Sequence, residues 1–297
     1  MAKIVECVPN FSEGRRPEIV REILAEMDNV PGVKLLDYAS DESHNRTVVT
    51  LVGDPEGIKE AAFQGVKKAA ELIDMDQHQG EHPRMGATDV VPFIPITGIT
   101  MEECVAIARE VGERIGKELQ IPVYLYESAA ACETRKNLAQ VRKGQYEGLK
   151  EAIKEPERHP DFGPWEMPRA GATAVGARPF LVAYNINLGT SDVKIAKTIA
   201  KAIRGSSGGF LSIKALGVMI EEKSMAQVTI NVTNYKEVPL YRVFETVKSE
   251  AARYGVNVIS SEIVGLTPME ALTETAEWYL RLEGFHKDQI LENRIFE

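Results

Sequence analysis

Cysteine is scarce in this chain. Cys7, Cys104 and Cys132 are the only three in 297 residues and show no C-x-x-C spacing, which disfavours a disulfide framework or a thiolate metal site. Long basic blocks are missing too, and 35 basic against 44 acidic residues leave a formal charge of -9. Nucleic-acid binding rests on clustered Lys and Arg, so no nucleic-acid partner is expected. No apolar run approaches membrane-spanning length, which excludes a membrane partner of that kind. The opening MAKIVECVPNFSEG lacks an apolar stretch and a small-residue cleavage site, so it does not read as a signal peptide. These absences point to a reducing, cytoplasmic protein of enzyme size, long enough for two modest domains with a core each.

What is present is one order of elements, met twice. KIVECVP reads as a strand, and PEIVREILAEM as a helix with Ile19, Val20, Ile23, Leu24 and Met27 on one face. Pro17 suits its first turn. GVKLLDYA and RTVVTLVG follow as strands, Asp54 and Pro55 open a helix carrying Ile58, Ala62, Val66, Ala69 and Ile73, and DVVPFIPI returns to strand. Thr100 and Glu103 form a T-x-x-E capping box before a stripe from Cys104 to Leu119, and PVYLY adds a strand. The second half runs FLVAYNINL, SDVKIAKTIAKAI, IKALGVMI, AQVTINVT, PLYRVFETVKSEAARYG and VNVISSEIV. Thr267, Pro268 and Glu270 are then expected to cap a last helix with Leu272, Ala276, Tyr279 and Leu280 inward.

Each half is β-α-β-β-α-β, the ferredoxin-like pattern. The expected class is α+β: two ferredoxin-like subdomains, helices outside, with the two sheets facing each other across a substrate groove. Alternation supports a polar helix-free face, because Gln227, Thr229 and Asn231 oppose Val228, Ile230 and Val232, and Asn185 and Asn187 oppose Tyr184, Ile186 and Leu188. Between the halves, EPERHPDFGPWEMPRAGATAVGARP holds five prolines in 25 residues. That is too many for a helix or a central strand, and such a connector is a linker or functional.

The densest chemistry lies in GEHPRMGATDVVPFIPI, Gly80 to Ile96, where His82 sits among Glu81, Pro83, Arg84 and Gly86. His78 lies four residues earlier, but Gly80 and Pro83 interrupt any helix that would align the pair, so no metal site is expected. Imidazole titrates nearest working pH, and the role His82 fits best is general acid or base. NFSEGRR reads first as a turn with Ser12 as N-cap; its sharper reading is a carboxylate site using Asn10 and Ser12. SDESHNRT is a hairpin loop that also carries His44, Asn45 and Arg46 as candidate ligand contacts. RGSSGGF lacks the Lys-Ser/Thr of a phosphate loop and reads as a flexible turn. Cys7 and Cys132 read as core or wall residues rather than nucleophiles.

VECVPNFSEG, HNRTVVTLVG, GEHPRMGATDVVPFIPI, PVYLYESAA, DFGPWEMPRAGATAVGARPFLVAYNINL and MAQVTINVTN, in this order over nearly the whole chain, resemble the glutamate formimidoyltransferase family, the formiminotransferase part of formiminotransferase-cyclodeaminase. The resemblance implies transfer of a formimino group between N-formimino-L-glutamate and N5 of tetrahydrofolate, a co-substrate, in histidine breakdown, with no metal. It implies subdomains at 1–178 and 179–297, and no cyclodeaminase domain. It places the catalytic histidine on His82, with Asp37 or Asp41 as its acidic helper, since Ala39 stands where animal members carry aspartate. The folate segment falls on Gly163, Pro164, Trp165, Glu166, Met167, Pro168, Arg169, Ala170, Gly171 and Ala172, of which WEMPRA departs from the animal enzymes. Arg178, Asn185 and Asn187 are further folate candidates, and Asn10, Ser12, Asn45, Arg46 and Arg84 are candidates for the glutamate-type substrate. Arginine is apt because its planar fork pairs with a carboxylate bidentately. The alternatives are a glutamate formyltransferase using 5-formyltetrahydrofolate and a non-catalytic folate-binding module. Exposed sheet edges lead to the expectation of a homodimer.

Overall fold

In the computed structural model, which describes residues 2–295, Pro9 splits the first strand into β1 (Ile4–Cys7) and β2 (Asn10–Phe11). α1 (Pro17–Asp28), β3 (Val33–Asp41), β4 (Arg46–Gly53), α2 (Pro55–Leu72) and β5 (Thr88–Thr97) complete the first β-α-β-β-α-β set. β1 and β2 both lie antiparallel between β4 and β5, and β3 pairs with the outer side of β4. α3 (Met101–Arg114), continued by a π turn, leads to β6 (Val123–Glu127). The helix starts follow the local chemistry. Asp54 accepts from Glu56 N and Gly57 N, and Thr100 and Glu103 close the reciprocal box. Ser12 does not cap α1; Arg16 precedes that helix without a side-chain cap, and Ser12 Oγ donates to Gly86 O at 2.7 Å.

The proline-rich connector holds what its composition seemed to forbid. After α4 (Leu138–Val141) and α5 (Gln145–Ala152), its last third forms β7 (Thr173–Ala177), a fully buried strand lying parallel between β5 and β6. The prolines stop short of it, at 156, 160, 164 and 168, so the ladder loses no donor. Nor are all helices of this unit on one side. Phe11, Ile23, Met27, Leu51, Ile58, Phe93 and Ile115 pack on the α1, α2 and α3 side. On the other side Val141 and Leu149 from α4 and α5 pack with Met85, Val90, Tyr124, Tyr126 and Ala174. Each such large apolar side chain contributes about 1.5–3 kcal/mol on burial.

The chain divides into two compact units, Met1–Pro179 and Phe180–Glu297. The second holds β8 (Val182–Leu188), α6 (Val193–Ile203), β9 (Ile213–Ile220), β10 (Met225–Val232), α7 (Leu240–Ala252), β11 (Val258–Val264), α8 (Met269–Leu280) and α9 (Leu291–Ile295). Its sheet order, β11-β8-β10-β9, repeats that of β5, β1/β2, β4 and β3 in the first unit, the ferredoxin-like topology in both cases. Val182, Ile186, Leu188, Ile199, Val228, Ile230, Val243 and Val247 make its core. α8 differs from expectation: Ala271 is its one buried residue, while Leu272, Tyr279 and Leu280 are exposed and Pro268 precedes it without a side-chain cap. Among the described residues no helix is long and apolar enough to cross a membrane.

Two backbones cross at Gly86 and Gly171. A Cβ at Gly171, whose φ is +73°, would meet Met85 O at 2.4 Å, and one at Gly86 would meet Ala172 O at 2.2 Å. Left-handed strain and overlap add, so Gly171→Ala is expected to lose about 3 kcal/mol in urea unfolding. Gly148→Ala, on the exposed face of α5 with nothing within 4 Å of its new Cβ, is expected to gain about 0.5–1 kcal/mol. Equal effects would contradict this account of the crossing.

Candidate functional site

Three loops meet at one end of the first sheet, and Asn45 holds them together. It adopts a left-handed backbone, φ 48°, which asparagine tolerates better than most residues. Its Oδ1 accepts from Gly14 N at 2.9 Å and its Nδ2 donates to Gln79 O at 2.9 Å. Glu81 N donates to Ser43 O at 3.2 Å. Glycine permits the approach, because a Cβ on Gly80 would lie 2.3 Å from His44 O and one on Gly14 2.4 Å from Asp41 O. Asn45 and Ser12, candidates for substrate contact, are thus committed to partners inside the protein.

Arg84 is likewise committed. Its Nη1 and Nη2 donate to Glu147 at 2.9 and 2.6 Å, and its Nε donates to His78 Nδ1 at 3.1 Å. With Nδ1 accepting, the proton of neutral His78 sits on Nε2, 3.1 Å from Asn45 O. The buried guanidinium therefore ties the histidine loop to α5 instead of offering its fork to a ligand.

His82 lies at the centre of this positive region. Burial, then the charges of Arg46, Arg142, His44 and Arg84, push its pKa down to about 3, so the ring is neutral at neutral pH and a proton acceptor. Its ring meets His44 edge to face, centroids 6.4 Å apart. His44 Nδ1 is 3.0 Å from Asp41 Oδ2, and the backbone N–H of His44, donating to Asp41, holds that carboxyl below its usual range. Asp37, Ala39 and Asp41 project on the same face of β3, opposite Thr50, Val48 and Arg46 of β4. Of the two candidate helper carboxylates, Asp41 is engaged with His44 and Asp37 lies four residues further along the strand.

Arg46 starts β4 on that face, and Asn10, paired with Val48 and Val90, shares it. The charge reading missed Arg142, at the end of α4, and its partner Asp89, which Arg142 Nη2 contacts. Asp89 is the extra residue of a β-bulge, since Asn10 pairs with Val90 while Phe11 pairs with Thr88. A bulge re-aims one side chain. A buried aspartate before the apolar run VVPFIPI was the available signal.

The folate candidates lie beside this region in part. Ala87 N donates to Ala170 O at 2.7 Å and Ala172 N to Met85 O at 2.9 Å, which fastens the end of the 163–172 segment onto the histidine loop. Gly163 turns with φ +85°; Trp165 is exposed and stacks on His159 at 3.6 Å; Arg169 pairs with Asp74. Pro164 and Met167 are half-buried, and Glu166 is exposed. Arg178 reaches Tyr126, a ring that also feels the charge of Arg142. Arg178 also faces Glu6, whose carboxyl burial pushes up to about 7, and Glu6 pairs with Val52, six residues or about 20 Å along β4 from Arg46. In the second unit Asn187 Nδ2 donates to Ser260 Oγ at 3.0 Å, and Gln227 Nε2 donates to Asn187 Oδ1 at 2.9 Å. Asn185 Nδ2 donates to Glu262 at 3.1 Å. A cavity of about 680 Å³ in that unit is lined by Tyr241, Glu274, Glu277, Trp278 and Arg281. Its two glutamates make it a poorer home for anions than the arginine-rich end of the first sheet.

A neutral imidazole held among guanidinium groups can accept a proton beside a bound anion. A model of the formiminotransferase domain, N-terminal subdomain, matches residues 4–178, and one of the formiminotransferase domain matches residues 183–294. Over 99% of its length the chain is 57% identical to a glutamate formimidoyltransferase of Streptococcus pyogenes serotype M1, covering 99% of that protein. It is 52% identical to one of Thermoplasma acidophilum, over 98% of this chain and 97% of the relative. With the formimidoyltransferase-cyclodeaminase of Gallus gallus it shares 44% identity, over 99% of this chain and 57% of that longer protein. The chain belongs to the formiminotransferase family.

Because His82 binds its proton less tightly folded than unfolded, the unfolded state takes up protons first as pH falls below about 6.5. The stability due to its neutral burial is complete above that pH and is lost toward about 3. Discounting for partial exposure, wild type is expected to lose about 1 kcal/mol more than His82→Gln between pH 7 and 5 in urea unfolding. Parallel pH profiles for the two proteins would show that His82 is not depressed.

Proposed function

We propose that this chain transfers the formimino group between N-formimino-L-glutamate and N5 of tetrahydrofolate, with His82 carrying the proton. The observation that carries the reading is the neutral, cation-surrounded imidazole at the loop junction, in a chain similar to glutamate formimidoyltransferases over its whole length. N5 of tetrahydrofolate attacks the amidine carbon, forming the new C–N bond, and His82 accepts the N5 proton. The tetrahedral intermediate then loses the glutamate nitrogen, and His82 returns the proton to it. An amine leaves well only when protonated, so one side chain serving both steps suffices. No covalent enzyme intermediate is needed.

Starting neutral suits the first step; a ring cationic in the free enzyme could not take the N5 proton. The segment 163–172 is assigned to tetrahydrofolate because its end is hydrogen-bonded to the loop that carries His82. Asp41 acts through His44, orienting the ring that meets His82. The homodimer expected from open sheet edges is part of this reading, and sedimentation tests it.

The test is tetrahydrofolate-dependent consumption of N-formimino-L-glutamate, beside the formyl donor 5-formyltetrahydrofolate with glutamate. His82→Ala is expected to lose about 10²–10⁴-fold in kcat while retaining folate affinity. Transfer of formyl alone would move the assignment to the formyl donor. Folate binding without transfer of either group would make the protein a binding module, and full activity in the variant would remove His82 from the mechanism.

A further inference from the structure

Two guanidinium donors beside His82 are left without acceptors among the described residues. Arg84 is paired with Glu147 and Arg142 with Asp89. Among the described residues Arg46 makes no direct ion pair, although Asp89 and Asp41 lie near enough to favour its charge. It is largely buried, and its guanidinium is pushed down in pKa by burial and then by the charge of Arg142. Arg46 Nε and Arg142 Nε are both buried without a hydrogen-bond acceptor among the described residues. A buried N–H left unpaired costs free energy, more so on a charged group. Two guanidinium groups that repel each other, each with a donor to spare, are jointly satisfied by one anion with two acceptor oxygens.

We propose that Arg142, held by the bulged Asp89, forms with Arg46 a two-arginine clamp for the α-carboxylate of the amino-acid substrate. This rests on the transfer reading above and names which end of the substrate the positive region holds. The choice of carboxylate follows from chemistry. The nitrogen that must receive the proton from His82 is bonded to the α-carbon, so the α-carboxylate is one carbon from the reacting atom. The γ-carboxylate is two carbons further along. Arg46 and Arg142 are also the two charges that act most strongly on His82. A group bound between them is therefore close to the imidazole.

Asp89 makes the geometry specific. It is almost fully buried, it accepts Met85 N on Oδ1 at 3.0 Å, and Arg142 reaches its Oδ2. Both oxygens of the carboxylate are used, which fixes Arg142 from behind and leaves its Nε for a ligand. The clamp also couples binding to chemistry. The groups facing His82 are Arg46, Arg142, His44 and Arg84, with Asp41, Asp89 and Glu147 behind them. An anion seated between the first two cancels the repulsion they exert on an imidazolium, so the base strengthens once the donor is in place.

Arg142→Gln is the variant of choice, with Arg142→Lys, which keeps the charge against Asp89 but not the planar fork, in case the first does not fold. Donor KM is expected to rise about 10–100-fold in Arg142→Gln, with kcat changed far less and folate affinity unchanged. Calorimetry should show L-glutamate binding weakened by a similar factor. 4-Aminobutyrate, which lacks the α-carboxylate, should bind wild type and variant alike. By NMR, L-glutamate should raise the pKa of His82 in wild type and shift it less in the variant. A fall in kcat with donor KM and L-glutamate affinity intact would make Arg142 a positioning residue and overturn the clamp. Equal weakening of 4-aminobutyrate would overturn its assignment to the α-carboxylate. If wild type transferred no formimino group yet bound L-glutamate in an Arg142-dependent way, the clamp would stand and the transfer reading would fall.

Discussion

Guanidinium groups gathered around one imidazole repel each other and any proton that imidazole takes up, and much of the local structure serves to hold them there. Asp89 and Glu147 reach Arg142 and Arg84 from β5 and α5. Pairs of this kind add little net stability, because desolvation offsets their attraction, but they hold a side chain in one place. The arrangement is local. A chain of formal charge -9 repels anionic substrates at a distance, so the positive end of the first sheet must act at short range and in a site with little water.

Holding charges in register requires rigid loops, and the means is backbone hydrogen bonding rather than core packing. Asn45 joins the turn before α1 to the loop before β5. Thr47 Oγ1 donates to Glu13 O at 2.5 Å, while Glu13 accepts from Arg15 N and Arg16 N at 2.9 Å each. Loops stitched to one another in this way lose less entropy when a ligand arrives than loops that must first be ordered.

The repeated strand and helix order was legible because it is written in local periodicity. The alternation of β10 and the box before α3 each depend on residues within one turn or one strand. β7 was not legible: a five-residue strand of small residues behind four prolines has no periodicity of its own, and it is a strand because β5 and β6 leave a slot between them. The exposure of Leu272 and Leu280 escaped for a related reason, since a periodic apolar stripe does not reveal whether a partner surface exists. In the site, His82 and Arg46 stood out because residue type and density mark them. Arg142 did not, because VRKGQYEG resembles any solvated helix end, and only the distant bulge at Asp89 gives it a task. Conversely, Asn45, Ser12 and Arg84 stood out as ligand contacts from residue type alone, and only the three-dimensional structure shows the partners they hold inside the protein.

The crossing of Gly86 over Gly171 also bears on how such a protein can be altered. With no room for a side chain on either backbone, the histidine loop and the 163–172 segment are tied to each other although Gly86 and Gly171 are 85 residues apart in the chain. Segments grafted between relatives would therefore have to travel as a pair. A chimera that exchanged one without the other would join two surfaces shaped for different neighbours, and the mismatch would fall beside the proton carrier.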